Sequence, residues 1–186
     1  MYHFNIIYIW IEAFHRLVEG PADNTRHRIL GKVKKMCLFV LPFLVGYMVL
    51  QSALHTSEPL AVSKGRSMEP AIREGDILVF RGVSTEEVKV GDVLLFQVPD
   101  EMVGLLPDRI THRVVEIRKE AGVTYFRTKG DNAPLDTFEI PADKVVGLNI
   151  AVLPYVGTPI LFAQSPIGMG AIMVLIVASE RRGAGR

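Results

Sequence analysis

The distribution of charged residues divides the chain into apolar and mixed segments. No Asp, Glu, Lys or Arg occurs between Lys35 and Glu58, and the residues in this gap are largely apolar. A helix needs about 20 apolar residues to cross the hydrocarbon core of a bilayer. We therefore predict a transmembrane helix over residues 36–54. Pro42 and Gly46 are compatible with such a helix when neighbouring groups satisfy the freed backbone atoms.

A second charge-free run extends from Val145 to Ser179 and ends in an apolar stretch. Its length predicts a second transmembrane helix over residues 160–178, although a Gln-Ser-Pro sequence at 164–166 interrupts the apolar pattern. A single anchor, formed by the first helix alone, is the alternative.

The flanking charges predict an orientation in the membrane. Basic residues outnumber acidic residues in both terminal segments, 1–35 and 179–186. Because positively charged flanks remain in the cytoplasm, both ends are expected there, and segment 55–159 is expected on the extracytoplasmic side. The apolar stretch Phe4–Val18 also contains charged residues, which fits an amphipathic helix lying in the membrane interface, with an ordinary disordered start as the alternative.

The segment between the two apolar runs alternates turn residues with short stretches rich in β-branched and aromatic residues. Such stretches predict strands, here at Ile77–Phe80, Val93–Val98, Ile110–Arg118, Thr124–Thr128 and Val145–Leu153. No long part of this segment shows helical periodicity. The fold class is therefore expected to be mainly β, a sandwich or barrel rather than a β-α-β fold.

Composition excludes several classes of protein. Apolar residues make up 49% of the 186 residues and charged residues 22%, which is typical of a folded chain and not of a disordered one. The net charge is +1, so the chain lacks the basic excess that recruits nucleic acid. Its single cysteine, Cys37, can form neither an intramolecular disulfide nor a thiolate metal cluster. No cofactor or metal is expected.

Ser67 is the first candidate for chemistry and lies in the sequence Gly-Arg-Ser-Met-Glu-Pro at 65–70. Gly65 permits a close approach of the backbone, and Pro70 holds the residue before it extended, so Ser67 is expected on a fixed turn. A serine beside a glycine is also ordinary turn chemistry. Ser67 alone therefore does not define a site.

His112 lies in the middle of a predicted strand. Strand alternation places it on the same face as Ile110 and Val114, where a buried core histidine is the ordinary outcome. If Ser67 lies beside it, however, the imidazole is the natural group to accept the hydroxyl proton at neutral pH.

Two carboxylates follow in the sequence Lys-Gly-Asp-Asn-Ala-Pro-Leu-Asp at 129–136. Either Asp131 or Asp136 could accept a hydrogen bond from the far ring nitrogen of His112 and so fix its tautomer. Asp131 also fits the role of a turn cap before Asn132. Asp136 has no such local task.

The order of these motifs resembles the type I signal peptidases, and within them the archaeal and endoplasmic-reticulum subgroup. The similarity covers residues 36–160. Besides the Ser-Met-Glu-Pro and Lys-Gly-Asp-Asn sequences it includes Gly75-Asp76, Gly91-Asp92, His112-Arg113-Val114, Val146-Gly147 and Leu153-Pro154-Tyr155-Val156-Gly157. The resemblance implies a signal-peptidase-like β-fold, also found in self-cleaving repressors, anchored by one or two transmembrane helices.

The resemblance also assigns roles to residues. It implies that Ser67 is the nucleophile, that His112 is the base where bacterial relatives use a lysine, and that Asp131 and Asp136 occupy the two acidic positions of the subgroup. Gly65 stands where many relatives carry a serine that helps to stabilise the oxyanion. Backbone N–H groups, the Ser67 amide first, are therefore expected to perform this task.

These implications lead to a functional hypothesis, a membrane-bound serine endopeptidase that removes signal peptides from secretory preproteins. The expected location is the cell membrane or, in a eukaryote, the endoplasmic reticulum. Expected partners are preproteins, the lipid bilayer, and translocation machinery or other subunits of a peptidase complex, but not nucleic acid. The substrate would pair with an edge strand and present small side chains to shallow apolar pockets.

Two alternatives remain open at the level of sequence. One is a self-cleaving serine autoprotease of the repressor kind. The other is a catalytically idle, membrane-tethered β-domain that binds an extended partner strand, in which the serine hydroxyl would have no need of activation.

Overall fold

A computed structural model describes the backbone of residues 25–184 and the side chains of residues 30–179. The chain divides after Leu50 into two compact units. Residues 25–50 of helix α1 (Thr25–Leu54) form the described part of the first unit, and the second unit contains the end of this helix and all of the β-structure described. The amphipathic helix predicted at Phe4–Val18 lies outside the described residues.

Helix α1 contains the first predicted membrane segment. Its part from Leu30 to Leu54, 25 residues, is long and apolar enough to cross a bilayer. Large apolar side chains such as Phe39, Phe43 and Met48 are exposed along it, as a helix surrounded by lipid requires. The helix begins before the predicted start at residue 36, since the lysines that precede this residue are good helix formers.

The second unit is built on one antiparallel sheet of seven strands, in the order β1-β2-β7-β3-β4-β5-β6. The strands are β1 (Leu60–Val62), β2 (Ile77–Arg81), β3 (Val93–Gln97), β4 (Arg109–Glu120), β5 (Val123–Lys129), β6 (Leu135–Pro141) and β7 (Val145–Leu153). Single 3-10 turns occupy Asp100–Met102 and Ala142–Lys144. The prediction of a mainly β fold is confirmed, and all five predicted strands are present.

The two strands that were not predicted, β1 and β6, form the edges of the sheet. β1 has only three residues, and β6 contains Asp136, Glu139 and a terminal Pro141, residue types that are depleted in strands. An edge strand tolerates them because one side of its backbone has no ladder to maintain. The edge position therefore explains why both strands lack a clear sequence pattern.

The hydrophobic core consists of two clusters that both include side chains of β3. Leu94 and Phe96 contribute to the first cluster and Leu95 to the second, as expected from strand alternation. The remaining buried members of the first cluster are Val88, Val114, Phe126 and Ile140, and those of the second are Met68, Ile72, Leu78 and Phe80. Both faces of the central strands are thus covered.

Two helices follow β7: α2 (Thr158–Gln164) and α3 (Pro166–Ala184). They replace the single helix predicted at 160–178, and their axes are bent by 79°. Ser165 between them has extended backbone angles (φ −75°, ψ 154°), because Pro166 disfavours a helical conformation in the residue before it.

The pair α2–α3 is long and apolar enough for a second crossing only if the two helices count as one bent span. The second membrane anchor therefore stays a prediction. Helix α3 continues into the predicted tail 179–186, whose side chains beyond Ser179 lie outside the described residues.

Candidate active site

Ser67 lies on an exposed turn between β1 and β2. Met68 and Ile72 anchor this turn in the second core cluster, where they are only 4% and 3% exposed. Gly65 begins the turn with φ +84°, and a Cβ at this position would meet no atom within 4 Å. Glycine is needed here for the left-handed backbone, and not for the close approach predicted from the sequence.

His112 lies in β4 opposite Leu94 of β3. It is 7% exposed, and Val114 on the same face is 1% exposed, in agreement with the predicted alternation. The ring links two polar side chains, with Nε2 lying 3.2 Å from Ser67 Oγ and Nδ1 lying 2.8 Å from Asp136 Oδ2. Because an ionised carboxylate can only accept, Nδ1–H donates to Asp136, and Nε2 is left to accept the Ser67 proton.

Asp136 lies near the start of the edge strand β6, in a hairpin with β5. Its side chain is 11% exposed. The oxygen that accepts the His112 bond also accepts a hydrogen bond from the Thr128 hydroxyl, at 2.6 Å. The carboxylate is therefore largely removed from water and fixed by two protein donors.

Asp131 lies elsewhere in the site and binds Arg113. The guanidinium of Arg113 donates from Nε to Oδ1 at 2.8 Å and from the terminal nitrogen Nη2 to Oδ2 at 2.7 Å. This pair holds the pKa of Asp131 below its usual range, chiefly through the hydrogen bonds from Arg113, while burial opposes the shift. The structure thus brings Asp136, and not Asp131, to His112.

The segment 130–132 connects the turn that carries Ser67 to the strands that carry His112 and Asp136. The Asn132 amide donates to the carbonyl of Ser67 at 2.7 Å, and its side chain donates to the carbonyl of Arg66 at 3.3 Å. A Cβ on Gly130 would lie 2.6 Å from the Ser67 carbonyl oxygen and 3.0 Å from His112 Nε2. Neither the need for glycine at 130 nor the Thr128 bond was predicted, because both depend on the register of distant strands.

A groove of about 510 Å³ opens beside Ser67 and His112. Its wall is mainly apolar and includes Ala61, Val62, Ile72, Leu78, Leu95 and Ile110. Arg109 and Glu58 form an ion pair in the same wall. Strand β1, which provides one side of the groove, is an edge strand. Among the side chains of residues 30–179, no three or more His, Cys, Asp or Glu are grouped so as to hold a metal ion.

A hydroxyl, an imidazole and a partly buried carboxylate connected in this order form the arrangement by which serine hydrolases activate a nucleophile. The chain is similar to proteins that are named as catalytic subunits of a signal peptidase complex. A signal peptidase complex catalytic subunit SEC11 from Leptosphaeria maculans is 33% identical over 177 residues, which cover 84% of this chain and 97% of the relative. The corresponding subunit of Clavispora lusitaniae is 30% identical over 143 residues, 72% of this chain and 82% of the relative.

The human catalytic subunit SEC11C is 31% identical over 111 residues, 55% of each chain. No protein-family model matches the chain. The extent of the fungal similarities shows that the chain belongs to the SEC11 family of signal peptidases, which confirms the resemblance found in the sequence.

The close packing around Gly130 leads to a first prediction. Gly130→Ala should lower the rate of peptide hydrolysis about 100-fold, since a displacement of about 1 Å between reacting groups can cost that much. The added methyl must displace the Ser67 carbonyl or the His112 ring. The control is Gly170→Ala in α3, where a Cβ meets no atom within 4 Å. Hydrolysis by Gly130→Ala at the rate of the control would contradict this description of the packing.

The Asp131–Arg113 pair leads to a second prediction, on stability. The pair should make its full contribution to the free energy of unfolding above pH 3.8, the ordinary pKa of the carboxyl. This contribution should be lost as the pH falls through the lower pKa that Asp131 has in the folded state. Asp131→Asn should therefore lower the free energy of unfolding by about 1–2 kcal/mol at pH 6. The difference in free energy of unfolding between wild type and Asp131→Asn should become smaller as the pH falls below 3.8.

Thermal unfolding in detergent across this pH range measures the difference. Asp100→Asn is the control, because Asp100 pairs with Lys144 but its side chain is 86% exposed, and an exposed pair contributes little. A difference in stability between wild type and Asp131→Asn that does not change with pH would contradict the assigned ion pair.

Proposed function

We propose that the chain is a membrane-anchored serine endopeptidase that removes N-terminal signal peptides from secretory preproteins. The observation that carries the proposal is the Ser67–His112–Asp136 series, with separations of 3.2 Å and 2.8 Å, in a chain of the SEC11 signal peptidase family. The site opens on a groove large enough for a short extended peptide segment. The same series weighs against an idle binding domain, which has no need of an activated hydroxyl.

The geometry supports a two-stage acyl transfer. Ser67 Oγ attacks the carbonyl carbon of the scissile bond while His112 Nε2 takes the hydroxyl proton. His112 then gives this proton to the leaving amine, which departs with the mature protein. The signal peptide is left esterified to Ser67. A water molecule then loses a proton to His112 and attacks the ester carbonyl. As the bond to Ser67 Oγ breaks, His112 returns this proton to Oγ, and the signal peptide is released as a free acid.

Two groups stabilise the charges that develop in these steps. The Asp136 carboxylate lies against Nδ1 and stabilises the imidazolium that forms when His112 takes a proton. In the described part of the chain the Ser67 amide donates to no backbone or side-chain acceptor, so it is available for the oxyanion of the tetrahedral intermediate. Gly65 leaves no side chain two positions before the nucleophile to assist it.

The groove is suited to the cleavage sites of signal peptides. Such sites carry small residues in an A-x-A pattern, and the wall beside Ser67 is made largely of aliphatic side chains. An extended peptide can add to the free side of β1, with main-chain hydrogen bonds providing affinity and the wall selecting alternate side chains.

The proposed membrane location is supported by α1. This helix is long and apolar enough to cross a bilayer, and six residues separate its last residue Leu54 from Ala61 in the groove wall. By the positive-inside rule the N-terminal segment is cytoplasmic, and the β-domain with Ser67 then lies on the extracytoplasmic side. Since the relatives are named as catalytic subunits of a complex, we expect further subunits to associate with this chain as well.

Cleavage of a preprotein tests the proposed function. The full chain in detergent or lipid should convert a model preprotein to its mature form, and Ser67→Ala should reduce this conversion to background, because the nucleophile is lost. Ser84→Ala, on an exposed serine outside the groove, is the control. Conversion by Ser67→Ala at the rate of the control would rule out the mechanism.

Protease accessibility tests the proposed topology. If α2 and α3 together cross the membrane, a tag placed after Arg186 is cytoplasmic and protease should remove it only from inverted vesicles, because basic tails remain inside. A tag accessible from the extracytoplasmic side would eliminate the second anchor. It would leave α1 as the one membrane helix among the described residues.

A further inference from the structure

A buried threonine lies behind the carboxylate that contacts His112. Thr128 on β5 is 0% exposed, and its hydroxyl donates to Asp136 Oδ2 at 2.6 Å. The same oxygen accepts the bond from His112 Nδ1 at 2.8 Å. The imidazole and the threonine thus converge on one atom of the carboxylate.

Packing alone does not explain a threonine at this position. Thr128 lies opposite Val114 of β4, and Val114 and Phe126 are members of the first core cluster. Valine has nearly the same shape as threonine and would fill the site without a polar atom. A buried hydroxyl is unfavourable unless it is hydrogen-bonded, so the residue type points to the bond with Asp136.

The strands around Thr128 explain how this bond can fix the carboxylate. The pairing of β5 with β6 is irregular between Arg127 and Lys129, and Thr128 lies at this irregularity, in the strand next to β4, which carries His112. A carboxylate with a single donor can still rotate about its last side-chain bond. A second donor on the same oxygen removes this freedom and keeps Oδ2 aimed at His112.

We propose that Thr128 is a positioning residue for catalysis, which holds the Asp136 carboxylate in the orientation that fixes the tautomer and direction of the His112 ring. This inference rests on the proposed function of Ser67, His112 and Asp136. Thr128 touches neither the substrate nor the reacting atoms. Its effect should appear in the rate of the chemical step and not in substrate binding.

The test compares variants that separate the hydroxyl from the shape of the side chain. Loss of a hydrogen bond to a charged group predicts that Thr128→Val lowers kcat for preprotein cleavage about 10-fold to 100-fold with KM unchanged. Thr128→Ser keeps the hydroxyl and should stay within about threefold of wild type, by the same reasoning. Thr124→Val, the same change near the other end of β5 where Thr124 pairs with Lys119, should leave kcat unchanged.

A substrate-independent measurement accompanies the kinetics. A fluorophosphonate probe reacts with an activated serine, whose oxygen bonds to phosphorus as fluoride leaves. The rate of Ser67 labelling should follow kcat through the series of variants. If the wild-type chain labels at Ser67 but leaves preproteins uncut, the proposed function fails while Thr128 is still judged by the labelling rate.

Three results would overturn the role of Thr128. They are wild-type kcat and labelling in Thr128→Val, equal losses in Thr128→Val and Thr128→Ser, or a rise in KM with kcat unchanged. If Thr128→Val does not fold, Thr128→Ala and Thr128→Ser make the comparison, because both lack the methyl and only serine keeps the hydroxyl. Equal rates in these two variants would overturn the proposal, and a rate in serine about 10-fold above that in alanine would support it.

Discussion

The site depends on the contact between segment 130–132 and the turn that carries the proposed nucleophile Ser67, here called the nucleophile turn. Ser67 belongs to no strand, so hydrogen bonds of the sheet do not place it, and the bond from the Asn132 amide to its carbonyl oxygen, 2.7 Å long, ties the turn to the end of β5. Gly130 allows this approach, since any side chain there would meet the Ser67 carbonyl and His112 together. Met68 and Ile72 hold the other side of the turn in the core. These contacts on both sides fix the backbone of the turn at Ser67.

His112 and Arg113 lie on opposite faces of β4, so this strand separates the proposed catalytic series from the Asp131–Arg113 ion pair. His112 points to the face of the first core cluster and meets Ser67 and Asp136, whereas its neighbour Arg113 points to the opposite face and binds Asp131. The ion pair keeps segment 130–132 against β4, and so acts on the nucleophile turn without contacting His112. One strand therefore supplies the proposed base and also the anchor of the segment that positions the nucleophile.

The sequence predicted those features whose signals are local. Charge-free length predicted α1, alternation predicted the central strands and the direction of His112, and the order of motifs led to Ser67. The choice between Asp131 and Asp136 depends on the register of the β5–β6 hairpin. The sequence does not predict β6, because this edge strand contains Asp136 and Pro141, residue types that are rare in strands. The bend at Ser165 was signalled by Pro166, but its angle depends on packing between α2 and α3. Thr128 carried no local signal, since its importance comes from a partner on another strand.

The central claim is that Ser67 and His112 act as one catalytic unit, and a double-mutant cycle tests it most directly. Preprotein cleavage should be measured for Ser67→Ala, His112→Ala and the double variant, with folding of each verified by thermal unfolding. When two residues act only together, substitution of the second does not lower kcat/KM further once the first is lost. The double variant should therefore retain the same residual kcat/KM as either single variant. Losses that instead multiply in the double variant would show that the two residues act independently, and would contradict the mechanism.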